Sequence, residues 1–427
     1  MKTLSIVKAG LGGGAAILLA GLLAAAPAAQ ASTGKTVPCK SAALIAAISA
    51  ANSNGGATIN LAPGCTYPLT TANNSNPMTG ANGLPVITSR ITLNGFRTTI
   101  AGNNSTFRIF MVNGSGNLTL QGLTITGGNT PNPGGGIFNL EGTLTLNHST
   151  VTGNASAGGM MSAGGGIASG TNGTGPVGMT TLNFSQVNGN TTSGSAGGIL
   201  DHAGTLILNA SQVNGNTAAG GGGGIASGTG NGGAVGASIL TLNFSQVNGN
   251  TSNGGPTDGA GGIANGGTAT INASAVNGNT APGAPGGGIL NHGTMTINLS
   301  QVNGNTAPAD SSGDQGAGGG IANLSFSLIG GSPDSGTLTI TLSQIRNNTA
   351  SGIGGGILED GVNPDFTFGA PGGPLTLKLS TVTGNTAAEG GGIFASSGSP
   401  VALKLTLVAK NVPDNCFPLG SIAGCKN

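Results

Sequence analysis

Acidic side chains are the residues of this sequence that could cleave a glycosidic bond, because that hydrolysis needs two carboxylates facing each other across it. Glu359 and Asp360 form the one vicinal acidic pair. Neighbouring residues on an extended strand point to opposite sides, so we expect this pair to lie in a solvated turn. Asp201 and His202 would suit a base and its orienting group, but no motif places a nucleophile beside them. The sequence therefore predicts no catalytic residue.

Metal and cofactor chemistry find no matching motif either. The four cysteines lack the C-x2-C spacing of zinc sites, and the glycine runs lack the aspartate of the calcium-binding nonapeptide. The aromatic platforms of sugar-binding proteins are scarce here, since there is no Trp and one Tyr, Tyr67. His148 is expected to be an inward-facing packing residue, and the same position in other repeats carries Phe184, Phe244, Leu299 and Leu379. We therefore expect no metal, no cofactor and no exposed aromatic row.

The elements that would position functional residues come from one phrase that returns nine times. Its clearest copy, residues 134–154, reads GGGIFNLEGTLTLNHSTVTGN. The isoleucine after the glycines recurs at eight intervals that span 393 − 137 = 256 residues, a mean of 32. These isoleucines are Ile137, Ile167, Ile199, Ile225, Ile263, Ile289, Ile321, Ile357 and Ile393. A period of about 20–50 residues built from short strands and glycine turns indicates a solenoid.

The apolar residues alternate within each copy, which indicates strands with one buried face. Leu144 and Leu146 form the first such pair, and a second apolar element follows at Val151. With the glycine-isoleucine element this gives three short strands per coil, and coils without crossover helices must stack by parallel pairing. The asparagine that ends each copy should bond its neighbour in a ladder at one turn. The ladder residues are Asn154, Asn190, Asn216, Asn250, Asn279, Asn305, Asn348 and Asn385.

The four cysteines fall into two close pairs at opposite ends of the chain. Three pairings are possible, but the ends of a long solenoid are far apart, so we expect disulfides Cys39–Cys65 and Cys416–Cys425. A helix is predicted over residues 41–54, with Ser41 as N-cap and Leu44, Ile48 and Ala51 on one face. This helix would cover the open edge of the first coil.

Residues 1–31 are typical of a secretory signal peptide, with cleavage expected between Ala31 and Ser32. Loss of Lys2 and Lys8 leaves ten basic against eleven acidic residues (10 − 11 = −1), so no nucleic-acid partner is expected. No later segment is long and apolar enough to span a bilayer. We therefore predict a secreted, extracellular monomer.

The predicted organisation has four parts. They are the signal peptide (1–31), an N-terminal cap with the helix and first strands (32–90), a parallel β-helix of about eleven or twelve coils (91–412), and a disulfide-closed C-terminal cap (413–427).

The motifs resemble a known group. GGGI followed by Val-x-Gly-Asn resembles the GGA-[ILV] and FxxN repeats of polymorphic outer membrane proteins. The chain after the leader resembles the secreted bacterial right-handed parallel β-helix proteins of the pectin-lyase-like superfamily. This resemblance implies an all-β, three-sheet, right-handed parallel β-helix. It implies no single function, because this fold hosts lyases, hydrolases, adhesins and inert stalks.

One outward column of the repeat is nearly all threonine and forms the candidate binding face. Ile207 and Lys404 are the expected exceptions in it. Parallel stacking would place these side chains about 4.8 Å apart on an uncharged face, suited to a polysaccharide, a cell-surface protein or ice; plain strand propensity would also explain them. The column comprises Thr145, Thr181, Thr241, Thr270, Thr296, Thr339 and Thr376.

Because the catalytic sets of the pectate lyases and related hydrolases are absent, the leading hypothesis is a secreted, non-catalytic structural or adhesive protein. The alternative is a polysaccharide lyase or glycoside hydrolase, which rests on the fold alone.

Overall fold

A computed structural model describes residues 36–103, 106–158, 163–170, 178–228, 238–254, 259–313, 315–326, 334–362 and 368–427. The expected signal peptide, with Ala31 and Ser32, lies outside these residues. Within them the chain is a right-handed parallel β-helix, because consecutive turns of the chain add strands side by side in the same direction. The predicted fold class is confirmed.

Two strands of each coil contribute to one 22-stranded sheet, which we call the front sheet. Its twelve long strands set the number of coils and lie in parallel register. They are Gly56–Asn60, Arg90–Ala101, Asn117–Thr126, Thr143–Asn147, Met179–Asn183, Thr205–Asn209, Ile239–Asn243, Thr268–Asn272, Thr294–Asn298, Thr337–Thr341, Leu375–Lys378 and Val401–Lys404. The short strands are Thr66–Pro68, Thr150–Thr152, Gln186–Asn188, Gln212–Asn214, Gln246–Asn248, Ala275–Asn277, Gln301–Asn303, Gln344–Arg346, Thr381–Thr383 and Leu407–Ala409.

The glycine-isoleucine elements form a second sheet, the back sheet. Its parallel strands are Phe110–Asn113, Ile137–Leu140, Ile167–Gly170, Ile199–His202, Ile225–Ser227, Ile263–Asn265, Ile289–Asn291, Ile321–Phe326, Ile357–Val362, Ile393–Ala395 and Cys416–Phe417. Two strands pair with it antiparallel, Asp334–Ser335 and Phe368–Ala370.

Short strands close the third side of each coil. They are Asn129–Thr130, Ala155–Ser156, Thr191–Ser195, Thr217–Gly220 and Thr251–Ser252 in one sheet, and Thr306–Ala307 and Thr349–Ala350 in another. A small antiparallel hairpin pairs Asn74–Asn76 with Gly80–Asn82.

The interior is one apolar column with layers supplied by each coil. All nine repeat isoleucines have no exposed surface, and they pack against the paired leucines and the valine of the front sheet. The predicted inward register is therefore correct. Burying such side chains away from water supplies the main driving force for stacking the coils.

The helix Ser41–Ser53 covers the first coil, and Leu44, Ile48 and Ala51 are its buried residues. Ser41 is not its N-cap: Lys40 takes that position without a side-chain cap, and the Ser41 hydroxyl donates to the carbonyl of Pro68. Within the described residues, no helix is long and apolar enough to cross a membrane.

Both expected disulfides are formed, Cys39–Cys65 and Cys416–Cys425, with Cα atoms 5.8 and 6.4 Å apart. Parallel pairing already begins at Gly56–Asn60, whose partner is Arg90–Asn94. The divisions at residues 90 and 412 stay predictions about domains.

Candidate functional site

The predicted threonine column lies in register along the front sheet, and its side chains are half-buried by their stacked neighbours. It continues toward the N-terminus through Thr119, Thr92 and Thr58. At the C-terminal end of the column, the residue that pairs with Thr376 is Ala402. Lys404 was predicted at this position, but it lies two residues further along the strand and pairs with Lys378. The arrangement is as expected, whereas its role in binding stays a prediction.

An asparagine column runs beside the threonines at the end of each long strand. Each side-chain Nδ2 donates to the Oδ1 of the preceding coil at 2.9–3.1 Å, from Asn298 back to Asn147. Its members are Asn147, Asn183, Asn209, Asn243, Asn272 and Asn298. The ladder presents aligned, half-exposed amides along the face.

The next residue in each coil is where the sequence prediction is wrong. His148 and its equivalents were expected to point inward, but the strand ends one residue earlier and the backbone enters the left-handed region, which breaks the alternation. Phe184, Phe244 and Leu405 are 56%, 65% and 86% exposed. We call the row the bend ridge, and its φ angles are between 45° and 53°. It comprises His148, Phe184, Ala210, Phe244, Ala273, Leu299, Leu342, Leu379 and Leu405.

The bend ridge lowers the stability of the fold for two reasons. A left-handed conformation costs a residue with a Cβ about 1 kcal/mol or more, and exposed Phe and Leu side chains give up burial. The chain uses glycine at its other left-handed corner, for example Gly189, Gly215 and Gly249 with φ of 61–62°. Strained, exposed apolar side chains in a row point to a surface kept for contact with a partner.

A serine column holds the bend ridge in place. A buried serine follows each bend residue except Leu405, which is followed by Thr406. From Ser185 onward its Oγ accepts the backbone N–H of the serine in the preceding coil, as in Ser185 to Ser211 and Ser211 to Ser245. The Asn-x-Ser triplet that recurs in the repeats is the signal of this column in the sequence.

The charges on the front sheet have one sign. None of its strands contains Asp or Glu, whereas Arg90 and Arg97 lie near its first coils. Near its last coils lie Arg346, Lys378 and Lys404, with Lys410 at the adjacent turn. Such a face attracts anions, most strongly at low salt.

The acidic pair Glu359 and Asp360 was expected in a solvated turn, and this prediction is wrong. Both belong to the back-sheet strand Ile357–Val362 and are buried. They do point to opposite sides: Glu359 accepts a hydrogen bond from Asn323 at 2.8 Å, and Asp360 accepts one from Ser396. Burial raises the pKa of Glu359 to about 9 despite that bond, and Asp360 raises it further. A neutral interior carboxyl cannot serve a solvent-facing site.

Asp201 and His202 also fail to form a pair. Asp201 is fully buried and lies 3.5 Å from the Ser227 hydroxyl, while His202 is on the other side of the strand and half-exposed. Burial raises the pKa of Asp201 to about 7. Tyr67 is likewise buried and donates to the carbonyl of Val37. Among the residues described, no group of three or more His, Cys, Asp or Glu side chains could hold a metal ion.

Comparison with known proteins shows a likeness in fold to a solved structure. No family model and no curated protein matches the chain. A solved structure with a similar fold is the A-module of the mannuronan C-5 epimerase AlgE6 from Azotobacter vinelandii. It is 13% identical, the TM-score is 0.50, and the match covers 86% of this chain and 95% of that one. At this identity the likeness shows the fold alone.

The comparison corrects the leading functional hypothesis. The solved neighbour is a catalytic module acting on a polysaccharide, not a structural or adhesive protein. The hypothesis of a non-catalytic protein also relied on inward phenylalanines, and Phe184 and Phe244 are exposed. That hypothesis is therefore wrong as the leading interpretation, and the alternative of a polysaccharide-active enzyme is better supported.

Proposed function

We propose that this chain is a carbohydrate-active enzyme whose substrate is an acidic polysaccharide lying along the front sheet. The bend ridge is the observation that carries the proposal, because it presents strained Phe and Leu side chains to solvent in a row along the sheet. Apolar side chains contact the C–H faces of sugar rings, while the neighbouring asparagine amides and threonine hydroxyls offer hydrogen bonds to sugar hydroxyls.

The acidic character of the substrate follows from the charges. The strands of the front sheet carry no carboxylate that would repel a polyanion, and the cations near both ends attract one. The name of the similar solved module, a mannuronan epimerase, supports a polyuronate as substrate. Hydrolysis by two facing carboxylates is the less favoured reaction, because the strands described for this sheet carry none.

We also propose that the enzyme is exported and acts outside the cell as a monomer. The leader-like residues 1–31 support export, and two disulfides are typical of oxidising compartments.

The experiment measures binding of purified protein to polymannuronate and to a neutral β-1,4-glucan, followed by sizing of the polysaccharide after incubation. We expect the protein to bind polymannuronate but not the neutral glucan, and salt to weaken this binding. We also expect the polymannuronate to be altered after incubation. The double variant Lys378→Glu, Lys404→Glu should bind at least about tenfold more weakly, since each reversal replaces attraction by repulsion.

The control variant Lys40→Glu, Lys426→Glu makes the same change of charge at exposed positions away from the front sheet. An equal loss of binding affinity in both variants would indicate an effect of net charge rather than binding at the front sheet. No binding, or equal binding of the neutral glucan, would overturn the proposal.

A further inference from the structure

The last coil of the solenoid leaves part of the apolar interior uncovered. Val401 and Leu403 are its inward-facing residues, because they pair with Leu375 and Leu377 of the coil before it. Leu375 and Leu377 have no exposed surface, whereas Val401 and Leu403 are half-buried. At the opposite end the helix Ser41–Ser53 covers the first coil. The C-terminal end therefore presents apolar surface to solvent where the N-terminal end does not.

The last long strand of the front sheet, Val401–Lys404, also has an open side. It pairs with Leu375–Lys378, and none of the strands that the structure describes pairs with its other side. In a parallel ladder successive residues direct their N–H and C=O groups to opposite sides, so every second residue of this strand directs both groups outward. Such an edge is a template for one more strand. These outward groups match an extended polypeptide backbone.

A cavity adjoins this open edge. Its volume is about 480 Å³, and it lies between the last coil and the closing segment, residues 416–427. Val401 belongs both to the edge strand and to the cavity wall, so the two features form one site. Serine side chains contribute to the lining, and its other apolar residues are Ala395, Pro400, Pro418, Ile422 and Ala423. A cavity of this size and composition can accept a bulky apolar side chain.

The charged side chains at this end are mostly cations. Lys404 is exposed at the end of the edge strand, and Lys410 and Lys426 are also exposed. Asp414 is the one acidic residue among residues 400–427. Two copies of the chain meeting at these edges would bring like charges together, which disfavours a second copy as the occupant. The charges favour an acidic partner instead.

We propose that the C-terminal edge of the solenoid docks an extended acidic segment of another protein, which adds to the front sheet as a further parallel strand. The alternation of the edge strand specifies the segment. Its apolar side chains lie beside Val401 and Leu403, where the first enters the cavity and both cover the interior, and its Asp or Glu lies beside Lys404. This inference is independent of the proposed function, because the ligand is a peptide and not a polysaccharide.

The first test measures binding of short fluorescent peptides that contain Leu-Thr-Leu-Glu. This peptide should bind and slow hydrogen exchange in Val401–Lys404, with Gly56–Asn60 at the opposite end unchanged. In the parallel register the N–H groups of its Thr and Glu donate to the edge, whereas those of its two Leu point away. N-methylation of the Thr and Glu amides should therefore abolish binding, and N-methylation of the Leu amides should not.

The second test reverses the charges. A Leu-Thr-Leu-Lys peptide should bind wild type at least about fivefold more weakly than the Leu-Thr-Leu-Glu peptide, because repulsion from Lys404 replaces attraction. Lys404→Glu should invert this preference. Lys40→Glu, the same change at an exposed position at the opposite end, should leave the preference as in wild type. Thermal unfolding of each variant checks that the fold is kept.

Three outcomes would overturn the inference. The first is no binding of the Leu-Thr-Leu-Glu peptide, and the second is binding that survives N-methylation of its Thr and Glu; Lys404 would then serve to keep other strands away from the edge. The third is a dimer of the wild type that protects Val401–Lys404 from exchange, since the occupant would be a second copy. Because no polysaccharide is present in these assays, each of these results leaves the proposed function in place.

Discussion

Glu359 is a carboxyl group placed inside the solenoid as the last member of a column of amides. Asn265 donates to Asn291, Asn291 to Asn323, and Asn323 to Glu359. The carboxyl has no exposed surface, so its charged form loses its water shell, and the hydrogen bond from Asn323 compensates only part of that loss. The neutral acid is the form that this position stabilises.

This burial predicts that the protein becomes less stable as the pH rises. The pKa of Glu359 is about 9 in the folded state against 4.5 for the ordinary group. Between these values the unfolded chain is ionised and the folded one is not, so stability is full below about pH 4.5 and falls by at most about 1.4 kcal/mol per pH unit up to about pH 9.

Glu359→Gln keeps an acceptor for Asn323 and cannot ionise. We expect this variant to be more stable than wild type at pH 8 and similar at pH 4, in urea unfolding across that range. Glu389→Gln, the same change at an exposed position, should follow wild type at every pH. Parallel pH profiles for wild type and Glu359→Gln would contradict the prediction.

At the scale of elements, the fold depends on ladders that join one coil to the next. The predicted turn ladder exists and is buried from Asn154 to Asn385, and it continues to Asn411. Each Oδ1 accepts both the backbone and the side-chain N–H of the preceding asparagine, as Asn250 does for Asn216. These bonds satisfy polar groups at a buried corner that water does not reach.

Two asparagines of the same coil allow a matched comparison. Asn250→Ala removes four hydrogen bonds at a buried site, to Asn216, Asn279 and Val213. We expect a loss of about 2–4 kcal/mol, because the partners are left unsatisfied. Asn243→Ala removes two bonds on the half-exposed face and should cost about 1 kcal/mol or less, since water replaces them. Equal midpoints of denaturant unfolding would refute the difference.

The sequence predicts strands and ladders well because period-two alternation reports directly which face of a strand is buried. The isoleucines, the leucine pairs and the asparagine ladder follow from that alternation. It fails at His148, since a single left-handed residue reverses inside and outside for everything after it. It fails again at Glu359, because no local pattern indicates that this acid is buried. Glu359 is the last member of the column of buried amides formed by Asn265, Asn291 and Asn323.

At the scale of the whole molecule, the two ends are closed by different devices. The helix Ser41–Ser53 covers the first coil, and the last coil is followed by Cys416–Phe417, which adds to the back sheet. Cys416 and Ile422 are buried there, and the disulfide joins Cys416 to Cys425. The closing segment is short, so the covalent link is what limits its opening.

Replacing both Cys416 and Cys425 by Ser should therefore loosen the last coil first. The lost link is worth about 2–3 kcal/mol for a loop of this size, and a solenoid opens from its ends because each coil contacts only its neighbours. Hydrogen exchange should show faster exchange for Val401–Lys404 than in wild type, with Ile239–Asn243 unchanged as the internal control. Unchanged protection of the last coil would show that the disulfide does not hold it.

The corners of the coils absorb all variation in repeat length. Successive ladder asparagines are separated by 26 to 43 residues, yet the long front strands from Thr143–Asn147 to Thr337–Thr341 pair without a register shift. Gene variants that lengthen or shorten a corner therefore leave the spacing of the face untouched. Duplication of a whole coil, 26 residues in the shortest case, would instead extend the face by one step of about 4.8 Å. The length of the front sheet therefore changes only in whole coils.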